Sequence, residues 1–526
     1  MDLKRVDVLG GGPGGLYAAR LLKLACPTTK VVVHEQDEPD TTFGFGVGLA
    51  ARTQDNLRRA DPDSYADIVA AGWRHDMSME VDGHRSVIHT DRLVGIARTR
   101  LLAILQQHAV AAGVDLRFGE RRQADDLDGD LVIAADGVAS ATRRAGDFGG
   151  HVREGRGLFL WCGAPLAIPR AVFAPVRTDH GTFVAHAYPY AEDRSTFLIE
   201  TDEASWRKAG YDVTTEALRP GQSDETALSA LSALFADHLR GQPLLGNRTR
   251  WTRFRTVRCT RWHHGRTVLL GDAAHTAHPS IGSGTKLAME DAIALVEALR
   301  GEPDLPTALD RYEAERRDEV QRLQELARRS QLWWESFPDR MYLGVDRLMV
   351  AYMTRAGNVA LPRFAAQSPH IVLGALAAHG IPDVADLPED LDQVVLDQPL
   401  TIGDVRLPSR ILTGAAGDLF RDVASGAAVP GTLSLLALDT SVVDPWDDSG
   451  DAVLRRAGEA RAAGADGTRL TGPPDRGSVL SRLDLAERIK GQVGGVAVVA
   501  APSQYRDDLA AGILSGRCDL VVLEDG

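Results

Sequence analysis

The sequence predicts an α/β protein: a Rossmann-like nucleotide-binding domain with an α+β domain inserted into it and a further module appended. Three observations predict it. A short apolar strand runs through a glycine turn into a helix at the start of the chain. Strand signals alternate, with weaker helix signals, from about residue 151 to 258. After about residue 375 the texture turns Asp-, Ala-, Gly- and Pro-rich. A length of 526 residues fits two to four domains.

Taken in order, Val6–Leu9 is short and apolar, Gly14–Leu24 is rich in Ala and Leu, and Val31–Val33 is a buried-type strand. Residues 6–35 therefore read as a βαβ unit. Asp82-Gly83 sits between Met77–Val81 and a second strand-like run, and Asp-Gly is a strong hairpin signal. An antiparallel excursion is expected there. Residues 93–118 return to helix then strand, and Leu131–Ala135 is another buried strand. In the middle segment Thr182–His186 and Ser195–Glu200 read as sheet, Glu203–Ala209 and Ser223–Leu239 as helix. Thr267–Gly271 restarts the parallel sheet, and Leu287–Arg300 and Leu305–Trp333 are long helices. The tail ends as helix Ser481–Ile489, strand Val496–Val499, helix Ser503–Leu514 and strand Leu520–Leu523. The expected boundaries are 1–75, 92–150 and 259–300 for the nucleotide-binding domain, and 76–91 with 151–258 for the insertion. Residues 301–375 are the closing helices of that body, and 376–526 the appended module.

Hydrophobic residues are 44% and charged residues 25%, as in ordinary globular enzymes. The net charge of −14 speaks against nucleic acid as a partner, since phosphate binding needs a basic surface. No run approaches the roughly 18 apolar residues of a membrane helix. The first strand follows Met1–Arg5 directly, leaving no room for a signal peptide, so a cytoplasmic protein is expected. Cys26, Cys162, Cys259 and Cys518 are scattered, which fits a reducing compartment and neither a zinc site nor a disulfide framework.

The first chemical motif is Gly10-Gly11-Gly12-Pro13-Gly14-Gly15, which fits G-x-G-x-x-G at Gly10, Gly12 and Gly15. One glycine turns the chain, one lets backbone approach a pyrophosphate, and one allows close helix–strand packing. The helix N-terminus then faces the negative charge. Glu35, followed by Gln36, ends the next strand where the ribose of an adenosine needs an acceptor. This motif does not separate FAD from NAD. Two further turns do: Asp136-Gly137 after a strand, with Ser140 and Arg143 following, and Gly271-Asp272-Ala273-Ala274-His275, leading through Pro279, Gly282, Ser283 and Gly284 into a helix from about Thr285. A second strand-to-helix turn with an acid and glycines is what a flavin nucleotide's ribityl chain and second phosphate require. Either aspartate alone would read as ordinary capping.

The three motifs together resemble the class A flavoprotein monooxygenases of the para-hydroxybenzoate hydroxylase-like fold, over about residues 1–335. Ile96-Ala-Arg98-Thr-Arg100-Leu101 resembles the family's helix start, which implies that Arg98 lies near FAD. More narrowly, His278–Ala292, Phe43–Gly48 and Asn56–Pro62 resemble the salicylyl-CoA and 2-aminobenzoyl-CoA hydroxylases; Phe183–Tyr190 and Ser195-Thr-Phe resemble the hydroxylases of violacein biosynthesis. Pro399–Ile411 and Asp519–Leu523 resemble the first and last parts of an old-yellow-enzyme barrel. The tail spans about 150 residues where a full barrel needs roughly 250, and Val496–Pro502 lacks phosphate-cradling glycines. A truncated, cofactor-free remnant is expected.

The resemblance implies FAD, NADH or NADPH as co-substrate, and O₂ adding to the flavin as a C4a-hydroperoxide whose distal oxygen attacks an electron-rich ring. No covalent nucleophile from the protein is expected, and no metal. His186, Tyr188 and Tyr190 alternate on one face of a strand and are the candidates for the substrate pocket; the equal alternative is that they are core or surface residues of that sheet. His275 and His278 read as loop residues beside the flavin, His263-His264 as an exposed turn, and Trp333-Trp334 as helix packing. The substrate is expected to be a small aromatic, CoA- or carrier-linked, with a free aromatic or indole-type metabolite as the alternative. A flavin reductase or oxidase without oxygen insertion, and a flavin-free scaffold, stay open, as does the oligomeric state, a homodimer included.

Overall fold

The computed structural model describes residues 3–39, 44–90, 92–282, 284–381, 385–412, 420–422, 432–444 and 449–524. By packing they form two units, 1–78 with 89–327, and 79–88 with 328–526.

In the first unit, five strands run parallel in the order Thr267–Leu269, Leu131–Ala134, Arg5–Leu9, Lys30–His34, Asp115–Arg117, with His263–His264 antiparallel at the edge. Arg5–Leu9 is central and buried, which is why it is apolar at Val6, Val8 and Leu9. Its one acid, buried Asp7, is answered by Arg5 at 2.9 Å and His34 at 3.0 Å. Chain order reverses at this strand: its two neighbours are the next strand on one side and Leu131–Ala134 on the other. Ligands of open α/β sheets bind beyond the carboxyl ends of strands at such a point. The helix Pro13–Ala25 packs across the sheet beside Arg98–Ala111 and Gly284–Gly301.

The sequence-predicted elements of this unit form close to their expected ends with three exceptions: Thr182–His186 extends to Gly181–Ala191, Leu287–Arg300 starts earlier as Gly284–Gly301, and Ser223–Leu239 is broken at Phe235 into Glu225–Leu234 and Ala236–Leu239. Val94–Ala97 is an additional strand, paired with Gly46–Leu49 and Trp73–Arg74. His263–His264 is a short strand turning at Gly265 back onto Thr267–Val268, rather than a bare turn.

The inserted region is built on antiparallel strands in the order Thr252–Cys259, Gly150–Ala164, Arg194–Thr201, Gly181–Ala191, Ala171–Thr178. Leu160, Cys162, Phe183, Ala185, Ala187, Phe197 and Ile199 bury one face against Leu228, Leu231 and Phe235 of the helical segment. Asp82 and Gly83 take φ of 48° and 80°, the left-handed pair of a two-residue hairpin turn between Met77–Val81 and His84–Ile88.

In the second unit five parallel strands follow chain order: Phe420–Asp422, Leu433–Asp439, Gly467–Thr471, Val496–Pro502, Leu520–Glu524. Helices Ser449–Ala462, Arg476–Gln492 and Arg506–Leu514 alternate with the last four. Ile411 makes an isolated parallel bridge to Val521 of the last strand. Trp333 packs on Phe337 and Tyr352, so the tandem tryptophans do face another helix, Val345–Thr354. The expected 375/376 boundary falls inside this unit, because Val345–Thr354 and Leu361–Gln367 pack on Arg506–Leu514. Among the described residues, no helix is long and apolar enough to cross a membrane.

Candidate active site

The three motif turns meet. Gly10 has φ +100°, and a Cβ there would overlap Ala135 O, just before Asp136. A Cβ on Gly15 would overlap Gly10 O, and one on Gly14 would lie 2.7 Å from Leu270 Cδ2 and 2.9 Å from Ala288 Cβ. The first turn therefore abuts the second through Gly10 and the third through Gly14. Only glycine permits this spacing.

Arg143, buried, ties the second turn to the third. Its guanidinium donates to Val138 O at 2.6 Å, Ala273 O at 2.7 Å and Asp272 O at 3.3 Å. Asp291 braces the third turn from behind. It accepts from Gly271 N–H at 3.1 Å and Arg316 Nε at 2.9 Å, and lies 2.7 Å from His275 Nε2. Burial pushes the Asp291 carboxyl up, but His275 and Arg316 outweigh it and hold the carboxyl below its ordinary value. His275 stacks on Trp262 at 4.8 Å, and His278 Nδ1 lies 2.8 Å from Ser280 Oγ. Among the described residues, no group of three or more His, Cys, Asp or Glu is placed to hold a metal.

Among the described residues, what faces outward from the turns is open. Gly12, the N-cap of Pro13–Ala25, has no described heavy atom within 4 Å of a would-be Cβ, and the same holds for Gly282 and Gly284. Pro13 is at the first helical position, leaving the N–H groups of Gly14 and Gly15 in the first turn. Glu35 accepts from Gly11 N–H at 2.6 Å and Asp37 N–H at 3.0 Å, with exposed Gln36 beside it. Asp136 Oδ2 accepts from Thr142, while its buried Oδ1 has no partner among the described residues. Thr285 is in the first turn of Gly284–Gly301; Ser283 and Phe43 lie outside the described residues.

Arg98 begins the helix Arg98–Ala111, fixed by its N–H to Phe45 O at 2.8 Å. Burial lowers its guanidinium, opposed by the charges of Asp272 and Tyr188. Asp272 reaches solvent yet is deeply surrounded by protein; that enclosure raises its carboxyl, against the pull of His275, Arg98 and Arg143. Open glycines, a helix N-terminus, an acid at the ribose position and an unpartnered buried oxygen fit a flavin dinucleotide.

The outer face of the antiparallel sheet carries the aromatic candidates. Register places Phe173, His186, Leu198 and Trp161 in one row across four strands, with Val184, Glu200 and Phe159 in the next. His186 Nε2 lies 3.7 Å from Glu200 Oε2, and its ring meets Phe173 edge-on at 5.1 Å. Tyr188 donates to Gly46 O at 2.8 Å, and burial pushes its phenol up to about 12. A Cβ on Gly44 would lie 3.7 Å from Trp161 and 3.8 Å from Arg98, which brings this face beside the Arg98 helix start. Tyr190 is buried against Gly46, where a Cβ would lie 2.6 Å from its ring. Sequence reasoning missed Trp161, Phe173 and Glu200, because only strand register groups them with His186.

The FAD binding domain family matches residues 120–327. Salicyloyl-CoA 5-hydroxylase from a Streptomyces species is 37% identical over 98% of this chain and 99% of its own length. The 3-hydroxy-4-methyl-anthranilyl-[aryl-carrier protein] 5-monooxygenase of Streptosporangium sibiricum is 37% identical over 68% of this chain and 95% of its own. Protodeoxyviolaceinate monooxygenase of Chromobacterium violaceum is 30% identical over 69% and 98%. Among solved structures, 2-methyl-3-hydroxypyridine-5-carboxylic acid oxygenase (mutant C294A) superposes with a TM-score of 0.52 at 19% identity, covering 70% of this chain and 96% of that one.

Proposed function

This chain belongs to the FAD-dependent aromatic monooxygenases, and from that premise we propose that it hydroxylates an electron-rich ring carried as a thioester on coenzyme A or a carrier protein, of the salicylyl or aminobenzoyl kind. The observation that carries this reading is the end-to-end match to the salicyloyl-CoA enzyme, tail included. FAD, reduced by NAD(P)H, supplies an electrophilic oxygen drawn from O₂. The protein supplies position, dryness and proton handling.

Gly12, with the N–H groups of Gly14 and Gly15, takes the pyrophosphate at the helix N-terminus. Gly10 and Pro13 shape that turn. Glu35 takes the ribose hydroxyls, with Gln36 beside it. Asp136, Gly271, Asp272, Gly282, Ser283, Gly284 and Thr285 hold the flavin end, and Arg98 faces it across from Asp272. His186 and Tyr188 line the substrate face with Phe173 and Trp161, which exclude water from the ring, and Tyr190 fixes the sheet to Gly46. His186, with Glu200 beside it, holds the proton of the substrate's hydroxyl or amine. Residues 376–526 are a truncated old-yellow-enzyme-like barrel; the chain-order parallel strands and the Ile411–Val521 bridge support that reading. The unpaired state of all four cysteines supports a cytoplasmic location.

The test is a side-by-side screen of aryl-CoA thioesters, their free acids and indoles, following NAD(P)H oxidation and product mass together. A thioester product heavier by one oxygen is expected. NAD(P)H oxidation that yields only hydrogen peroxide with every compound overturns the hydroxylase assignment in favour of an oxidase.

A further inference from the structure

In the second unit a cavity of about 240 Å³ is lined by Tyr342, Arg347, His379, Arg410, Lys490 and Asp519. It sits at the amino ends of the strands Val496–Pro502 and Leu520–Glu524, where Asp519 accepts from Ala497 N–H at 3.0 Å and from Lys490 Nζ at 2.6 Å. Arg347 Nε donates to Leu514 O at 2.8 Å, at the end of the helix Arg506–Leu514, and Arg410 Nη1 to Asp519 O at 3.3 Å. Helix-end capping accounts for part of this cluster.

It does not account for the rest. Among the described residues, Arg347, Arg410 and Lys490 face one carboxylate, which leaves two positive charges in excess around the hollow. Two nitrogens, Arg410 Nε and His379 Nε2, are buried without a partner among the described residues. Burial, and then the charges of Arg347, Arg410 and Lys490, hold the His379 imidazole down to about 3, so it is a neutral group with a free ring nitrogen. Burial likewise lowers both guanidinium groups. Excess charge among half-buried side chains and unpartnered buried polar nitrogen are each unfavourable, and both are relieved by one anion placed at the centre.

We propose that this hollow is a binding site for a phosphate group, free or as a phosphate ester, held by Arg347, Arg410, Lys490 and His379. A dianion matches the two excess charges; a single carboxylate leaves one of them. The hollow, about 240 Å³, is larger than a lone tetrahedral ion needs, which leaves room for an organic part. The site is independent of the flavin turns, so its test reads binding and not turnover.

The full chain, loaded with FAD and held in phosphate-free buffer, is titrated calorimetrically with inorganic phosphate, ribose 5-phosphate and adenosine monophosphate, with sodium chloride at matched ionic strength as control. Saturable binding is expected for phosphate and its esters and not for chloride. Arg410→Gln and Lys490→Gln are each expected to weaken it roughly tenfold or more, as loss of a charge-assisted hydrogen bond requires. An ester that binds tighter than inorganic phosphate identifies an organic phosphate as occupant; equal affinities identify the free ion. Should a variant not fold, a phosphorus NMR titration of the unaltered protein measures the same binding directly. No saturable binding at millimolar phosphate, or binding unchanged by both substitutions, overturns the site.

Discussion

Gly12→Ala separates what the protein needs from what the cofactor needs. Gly12 has φ −73° and ψ 175°, a conformation alanine adopts freely, and its added methyl meets no heavy atom of the described residues within 4 Å. Two small terms bear on folding. Alanine is a poorer N-cap than glycine by roughly 0.5–1 kcal/mol, while Gly→Ala at a compatible site stabilises by about 0.4–1 kcal/mol through the unfolded chain. They offset, so the flavin-free variant should unfold within roughly 2 °C of the parent. The cofactor meets a different balance. A methyl where the pyrophosphate closes on the turn costs about 1–3 kcal/mol of overpacking, and displacing one charge-assisted hydrogen bond adds about 1.5–3 kcal/mol. Even the low ends together correspond to an affinity loss of about a hundredfold. The assay is a titration of apoprotein with FAD, read by quenching of flavin fluorescence, beside thermal unfolding of the apoprotein. If the variant binds FAD within threefold of the parent, the dinucleotide does not cross Gly12 and the pyrophosphate lies elsewhere.

Gly15→Ala is the contrasting case: its methyl overlaps Gly10 O, so loss of soluble folded protein on expression is expected, not selective loss of flavin. Asp291→Asn leaves Arg316 and His275 without their shared counter-charge and should cost roughly 3 kcal/mol, near the low end for a broken buried pair because Glu319 still faces Arg316. The Asp291 carboxyl is held below its ordinary value, so its contribution is full above about pH 4 and is lost as pH falls through its folded value; the stability gap between parent and variant, measured by denaturant unfolding, should therefore be widest near neutrality and close on acidification. His186→Gln should lower kcat about a hundredfold at neutral pH with little change in KM, as removal of a proton acceptor does; an unchanged kcat and pH profile would return His186 to a packing role.

The glycine turns were legible because each rests on local chemistry. Gly10, Gly14 and Gly15 have one strand before them and one helix after, and their function is set within a few residues. The same is true of Asp82-Gly83, whose left-handed pair is written in the dipeptide. What stayed hidden depends on partners far along the chain. Gly150–Ala164 opens with His151-Val-Arg-Glu-Gly-Arg-Gly157, polar on both faces because that half is largely exposed, so it carries no alternation to read. Trp161 could join His186 only through Leu198 on a third strand, and that register is a property of the assembled sheet. Val94–Ala97 is not legible for a different reason: four residues before a long helix give too little pattern, and the strand is defined by its pairing with Gly46–Leu49 and Trp73–Arg74. Arg143 stood in a motif with no role of its own, since its three carbonyl partners lie in loops of two separate turns.

Those loop carbonyls point to why the first unit extends to Ala327. A turn that presents its backbone N–H groups to a ligand cannot also satisfy its main chain in a sheet ladder, so it must be held from the side away from the ligand. The third turn and its approach are held in this way by the two helices that follow. Asp291 takes Gly271 N–H, Tyr312 donates to Leu269 O at 3.2 Å, and Gln324 donates to Val257 O and Thr276 O at 2.8 Å each. Tyr312 and Gln324 come from Leu305–Glu335, a helix whose sequence carries no nucleotide-binding signal. Shortening the chain before that helix would leave every residue of the glycine motifs in place and remove the groups that hold the third turn open. The cofactor site is thus a property of about 320 residues, although the residues that announce it number fewer than 20.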